Sequence, residues 1–147
     1  MRRIMLGIAA LALPVTAATA GAVVSAGPAG ASAPVSCAKV TGNISGNLTL
    51  KGCGGGLGKG SAPAVSLATG GTITWKGKNK GSTTIGNVAV TSPGQGACAA
   101  GSTEEDFTGT VTANTSKANI LGTGVAGQAC VSAAGSVSLV KHTTLTL

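Results

Sequence analysis

From Val40 onward the chain alternates. Val40, Gly42, Ile44, Gly46, Leu48 and Leu50 share one parity, while Lys39, Thr41, Asn43, Ser45, Asn47, Thr49 and Lys51 take the other. Ile73 and Trp75 alternate with Thr72, Thr74 and Lys76, and Phe107, Gly109, Val111 and Ala113 with Asp106, Thr108, Thr110 and Thr112. Val137 and Leu139, and then Leu145 and Leu147, continue the pattern. A period of two gives a strand one dry face and one wet face. The same region is rich in Gly, Thr, Ser and Val and poor in the strong helix formers, which favours strands joined by tight turns. The alternation predicts an all-β, antiparallel domain, either a β-sandwich or a small β-barrel, with no long helix.

The N-terminus is built differently. Met1-Arg2-Arg3 is followed by an apolar run from Ile4 to Val15 and then by small residues to Ala33. Two positive charges and about a dozen apolar residues form a secretory signal, too short to span a bilayer as a helix. Arg2-Arg3 also loosely fits a twin-arginine signal. Residues 1–33 are therefore read as a cleaved signal-peptide helix, and 34–147 as one secreted β-domain with no transmembrane span. Localisation is extracellular on this reading.

Four cysteines, Cys37, Cys53, Cys98 and Cys130, fall in the exported part. None forms the close ligand pair of a zinc site, so an even number in a small extracellular domain reads as two disulfides. With one Phe, one Trp and no Tyr, little large apolar area is available, and cross-links compensate. Three pairings are possible. Cys37–Cys53 with Cys98–Cys130 is preferred, because Ser45 and Asn114 lie midway and turn residues surround both. Against this, residues 40–50 also read as one unbroken strand, which would need a bend at Gly42 or Gly46 to bring its ends together.

Ser36-Cys37, Lys39-Val40-Thr41-Gly42, the block from Ala68 to Lys76, Cys98 with Gly101-Ser102-Thr103, and Ala129-Cys130-Val131 together resemble a group of small secreted actinobacterial proteins of unknown function. The resemblance spans most of the mature chain. Its motifs are structural; they imply export and a β-fold and no activity.

Chemistry is sparse. His142 is the single histidine, and no nucleophile elbow accompanies it. Glu104, Glu105 and Asp106 are the only acids, and Glu104 and Asp106 would share a strand face. No catalytic, cofactor or metal constellation emerges, and a non-catalytic role is expected. After Arg2 and Arg3 all remaining basic residues are lysines. Without arginine or aromatic company they make a poor nucleic-acid reader, so no nucleic acid is expected. The most suggestive feature is Trp75, Lys76, Lys78 and Lys80 around a hairpin tip. There a ring and three charges could hold an anionic ligand, or Trp75 could face the core while the lysines guard a strand edge. The expected role is binding of an anionic cell-envelope polymer or extracellular ligand. The alternative is a secreted inhibitor or effector that meets a protein partner through Gly54–Pro63 or Ser92–Ala97.

Overall fold

The computed structural model describes residues 34–147, and the signal segment expected over residues 1–33 lies outside the described residues. The alternating segments become β1 (Ser36–Asn43), β2 (Asn47–Cys53), β3 (Gly58–Pro63), β4 (Gly71–Trp75), β5 (Gly81–Gly94), β6 (Ser102–Asn114), β7 (Gly124–Ser132), β8 (Ser136–Leu139) and β9 (Leu145–Thr146). One short helix, α1 (Val65–Thr69), sits between β3 and β4. Each strand from β1 to β8 pairs antiparallel with the next, and β8 returns to β1. The sheet therefore closes into a barrel, not a sandwich. Closure removes the unpaired edges that an open sheet would present.

β8 and β9 share one position in the wall. β8 pairs with β7 and β1 towards one end, and β9 pairs with the same two strands towards the other. The barrel is thus eight-stranded, with its last stave interrupted over residues 140–144.

The interior is apolar. Val40, Leu48, Leu50, Ile73, Trp75 and Val111 are all essentially inaccessible, and the polar residues of opposite parity face outward. This is the reverse of a membrane-spanning barrel, whose outer face is apolar. Among the described residues no helix is long and apolar enough to cross a membrane.

Trp75 fills the barrel beside Gly60, its register partner on β3. A Cβ at Gly60 would come within 2.5 Å of the indole ring, so the strand carries glycine where the ring lies. Gly60→Ala is expected to lose about 1–3 kcal/mol from this overpacking, read as a lower midpoint in urea denaturation; an unchanged midpoint would mean the ring can yield. The indole is also satisfied. Its Nε1 donates to Thr83 Oγ1 at 2.7 Å, and that hydroxyl donates to Asn114 Oδ1 at 2.9 Å. Asn114 Nδ2 then donates to the carbonyls of Ser116 and Ala118, tying β4, β5 and the β6–β7 turn together.

Both preferred disulfides are present. Cys37 and Cys53 are direct register partners in the β1–β2 hairpin, with Cα atoms 3.9 Å apart. Residues 40–50 are therefore not one strand. The chain turns at Ile44-Ser45-Gly46, and Val40 lies opposite Leu50, Gly42 opposite Leu48. In this register directly opposed residues have the same parity, so the alternation runs through the turn without a phase change. Parity alone cannot show such a turn.

Cys98–Cys130 forms in a different setting from the one expected. The β6–β7 connection runs from Thr115 to Thr123, beyond the predicted centre at Asn114, and Cys98 lies in the β5–β6 turn. Cys130 is the register partner of Glu104. The bond therefore straps the β5–β6 turn onto the outer wall of β6 and β7. Glu104 reinforces the strap: its carboxylate accepts from the Ala97 N–H and from Gln128 Nε2. Gly96 carries no Cβ where one would collide with that carboxylate. Two disulfides with no free cysteine among the described residues suit an oxidising compartment.

Candidate functional site

The barrel register assembles lysines that are far apart in sequence. Lys39 on β1 is the direct partner of Lys51 on β2, and Lys51 is the direct partner of Lys59 on β3. Gly60 pairs with Trp75, and the Lys76 N–H donates to the Lys59 carbonyl at 2.8 Å, which extends the register one step to Lys76. Three lysines on adjacent strands and a fourth just past the end of β4 thus stand in one row across the outer wall, all exposed. Strands lie about 4.8 Å apart, so the row spans about 14 Å.

More positive charge flanks the row. Lys78 and Lys80 are exposed in the β4–β5 turn at one end. That turn is pinned to the β2–β3 turn: the Asn79 N–H donates to the Gly56 carbonyl at 3.0 Å, and its side chain donates to the Gly55 carbonyl. Lys117 follows in the β6–β7 turn, where Thr115 Oγ1 accepts from the Ser82 N–H. At the other end of the row, residues 140–144 run beside β1. Continuing the β1–β8 register by two residues brings Val140 opposite Lys39, and continuing the β1–β9 register by two brings Thr143 there. The exposed Lys141 and His142 lie between them.

The acids are elsewhere. Glu104, Glu105 and Asp106 lie at the start of β6, towards the barrel end that holds α1 and the β5–β6 turn. Each has a local partner: Gln128 Nε2 donates to Asp106 as well as to Glu104, and Ser92 Oγ donates to Glu105. As expected, Glu104 and Asp106 share a face. Lys78 and Lys80 thus lie at the β4–β5 end and the Asp and Glu side chains near the opposite end, while Lys141 lies beside the β5–β6 turn.

Of the four residues grouped at the hairpin tip, the structure separates one from three. Lys76, Lys78 and Lys80 are on the surface, whereas the Trp75 ring is 2% exposed and inside the barrel. Trp75 cannot stack on a ligand held by those lysines. Lys39, Lys51 and Lys59 were not grouped with the hairpin tip by sequence reasoning, although a signal existed: Lys39 and Lys51 are equidistant from Ser45, so the hairpin that pairs Cys37 with Cys53 also pairs them. His142 lies in the interruption of the last stave, not in a strand, at φ 66°.

The two stretches considered as contact loops are largely ordered into the wall. Gly54–Pro63 is a short turn followed by β3, and Ser92–Gly94 completes β5. Only Gln95–Gly101 projects, and Cys98 straps it down. Compared with known proteins, the chain matches no family model, no curated protein and no solved structure.

Proposed function

We propose that the protein is an exported binding module that holds an anionic polymer of the cell envelope along its lysine row. The observation that carries this reading is the row itself: Lys39, Lys51, Lys59 and Lys76 in successive register positions. Like charges directly opposite one another on a sheet are unfavourable, by roughly 0.2–1 kcal/mol per pair. Threonine, abundant on this surface, would serve solubility and β-structure better. Edge protection does not explain the row either, since β1 to β4 are each paired on both sides. A repulsive arrangement that works against the fold makes sense where a polyanion neutralises it.

The row is convex wall rather than cleft, which suits a flexible linear chain of phosphates or carboxylates. Lysines act as point charges without the forked geometry of arginine, so recognition follows charge density rather than a particular headgroup. Among the described residues, three of the four exposed large apolar side chains, Ile44, Val65 and Val90, belong to the opposite end. A polymer accordingly suits the row better than a membrane surface, which would call for apolar contacts beside the charges. The leader pattern and the disulfides support action outside the cytoplasm.

Lys51 has a lysine on either side, and it gives the most discriminating test. Lys51→Thr is expected to raise stability by roughly 0.5–1 kcal/mol while lowering the salt concentration needed for elution from immobilised poly(glycerol phosphate). For the unmodified protein, four engaged lysines give a log–log dependence of affinity on salt with a slope of about −3. Retention unaltered by Lys39→Thr, Lys51→Thr and Lys59→Thr together would remove the row as the binding site. Serine at Lys76, Lys78 and Lys80 should weaken retention further without unfolding the barrel.

A further inference from the structure

The barrel end away from the lysines is open and hollow. A cavity of about 260 Å³ lies there among Ile44 in the β1–β2 turn, Leu48 on β2, Leu67 on α1, Phe107 on β6 and Val131 on β7. An eight-stranded barrel has an interior just wide enough to be filled by side chains or to hold one small ligand. Here the filling stops short of the mouth. The β5–β6 turn, which could have folded across the opening, is instead strapped to the outer wall by Cys98–Cys130. Ile44 and Val90 remain 55% and 39% exposed at the cavity.

One lining group is polar. Glu105 has the parity of Phe107 and Val111, the inward-facing residues of β6, and it is among the residues that line the cavity. Ser92 Oγ donates to one of its oxygens, and among the described residues the second has no hydrogen-bond donor. Every other lining side chain is aliphatic or aromatic. Glu104 and Asp106 flank it, so this mouth is the acidic end of an otherwise basic molecule.

We infer that the mouth binds a small apolar amine, its hydrocarbon body among Leu48, Leu67 and Phe107 and its ammonium on Glu105. The size follows from the cavity. An apolar cavity of about 150 Å³ accepts benzene, so this one takes a ring with a short alkyl chain. The charge follows from Glu105: a carboxylate at the edge of an apolar pocket is matched by a cation that donates a hydrogen bond, and opposed by an anion. This site is independent of the lysine row and lies at the other end of the barrel.

The test is titration of the oxidised protein with three probes of similar size, 2-phenylethylamine, 2-phenylethanol and phenylacetate, by calorimetry and by chemical-shift mapping. The amine is expected to bind about tenfold more tightly than the alcohol, with phenylacetate weaker still. Glu105→Gln should bring amine and alcohol to the same affinity while leaving the binding of the alcohol intact. Ala68→Phe, placed on the exposed side of α1 where it lines the cavity, should block all three without disturbing the core. Equal binding of the three probes, or an amine preference that survives Glu105→Gln, would overturn the assignment of an amine. Absence of shifts at Leu48, Leu67 and Phe107 at millimolar probe would overturn the mouth as a ligand site.

Discussion

Trp75→Ala is expected to lower stability by about 3–5 kcal/mol, the range for deleting a large buried aromatic. Domains of this size are stable by only about 5–15 kcal/mol, so the variant should sit near the edge of folding. Two effects combine. The ring is the largest side chain in the barrel and packs against a glycine that has no bulk to offer in its place. Its N–H also begins the chain through Thr83, which is fully buried, to Asn114. Trp75→Phe separates these contributions. It keeps most of the volume and leaves Thr83 still donating to Asn114, so a loss of about 1 kcal/mol is expected. Circular dichroism should follow both denaturations, because the single tryptophan is the residue replaced. A loss below about 1 kcal/mol for the alanine variant would show that the barrel collapses around the gap.

Removing the strap should have the next largest effect. Cys98→Ser combined with Cys130→Ser releases a cross-link of sequence separation 32, worth roughly 3–4 kcal/mol by loop-closure entropy. For a domain of this length that corresponds to a fall in melting temperature of roughly 10–20 °C. Replacing both partners avoids mispairing through a leftover thiol. The Cys37–Cys53 bond closes a shorter loop and sits inside an already paired hairpin, so its removal should cost about 3 kcal/mol at most. Calorimetry on the two double variants gives the order; equal or reversed losses would mean that the β5–β6 turn holds its place without the bond.

Much of this architecture was legible from alternation and cysteine spacing, because both are local. The strands around Ile73–Trp75 and Phe107–Ala113 and the Cys37–Cys53 bond follow from residues near one another in sequence, whereas Cys98–Cys130 has the preferred pairing without the hairpin that suggested it. β3 was not legible, and the reason is the ring beside it. Gly-Lys-Gly-Ser-Ala-Pro has no β-branched residue, since Gly60 has to make room for Trp75 and the latter supplies the apolar bulk from the next strand. The choice between barrel and sandwich was also closed to local reasoning, because it depends on β1 meeting β8 and β9 a hundred residues away. At the lysine site, the cluster in the β4–β5 turn is visible as a run in the sequence. Lys39, Lys51 and Lys59 join it only through register, and parity concealed the turn that sets that register.

The closed meander imposes an order in time. Strand β1 is among the first parts of the domain to be made, yet one of its sides stays unpaired until β8 and β9 arrive, with Val35 and Leu147 exchanging backbone hydrogen bonds at the seam. Until then the growing sheet carries two bare edges, the state in which β-proteins are most prone to pair wrongly. The Cys37–Cys53 hairpin can be locked early, because it needs only its own residues. The wall as a whole is completed only when β8 and β9 meet β1, so the lysine row attains its full curvature only with that closure.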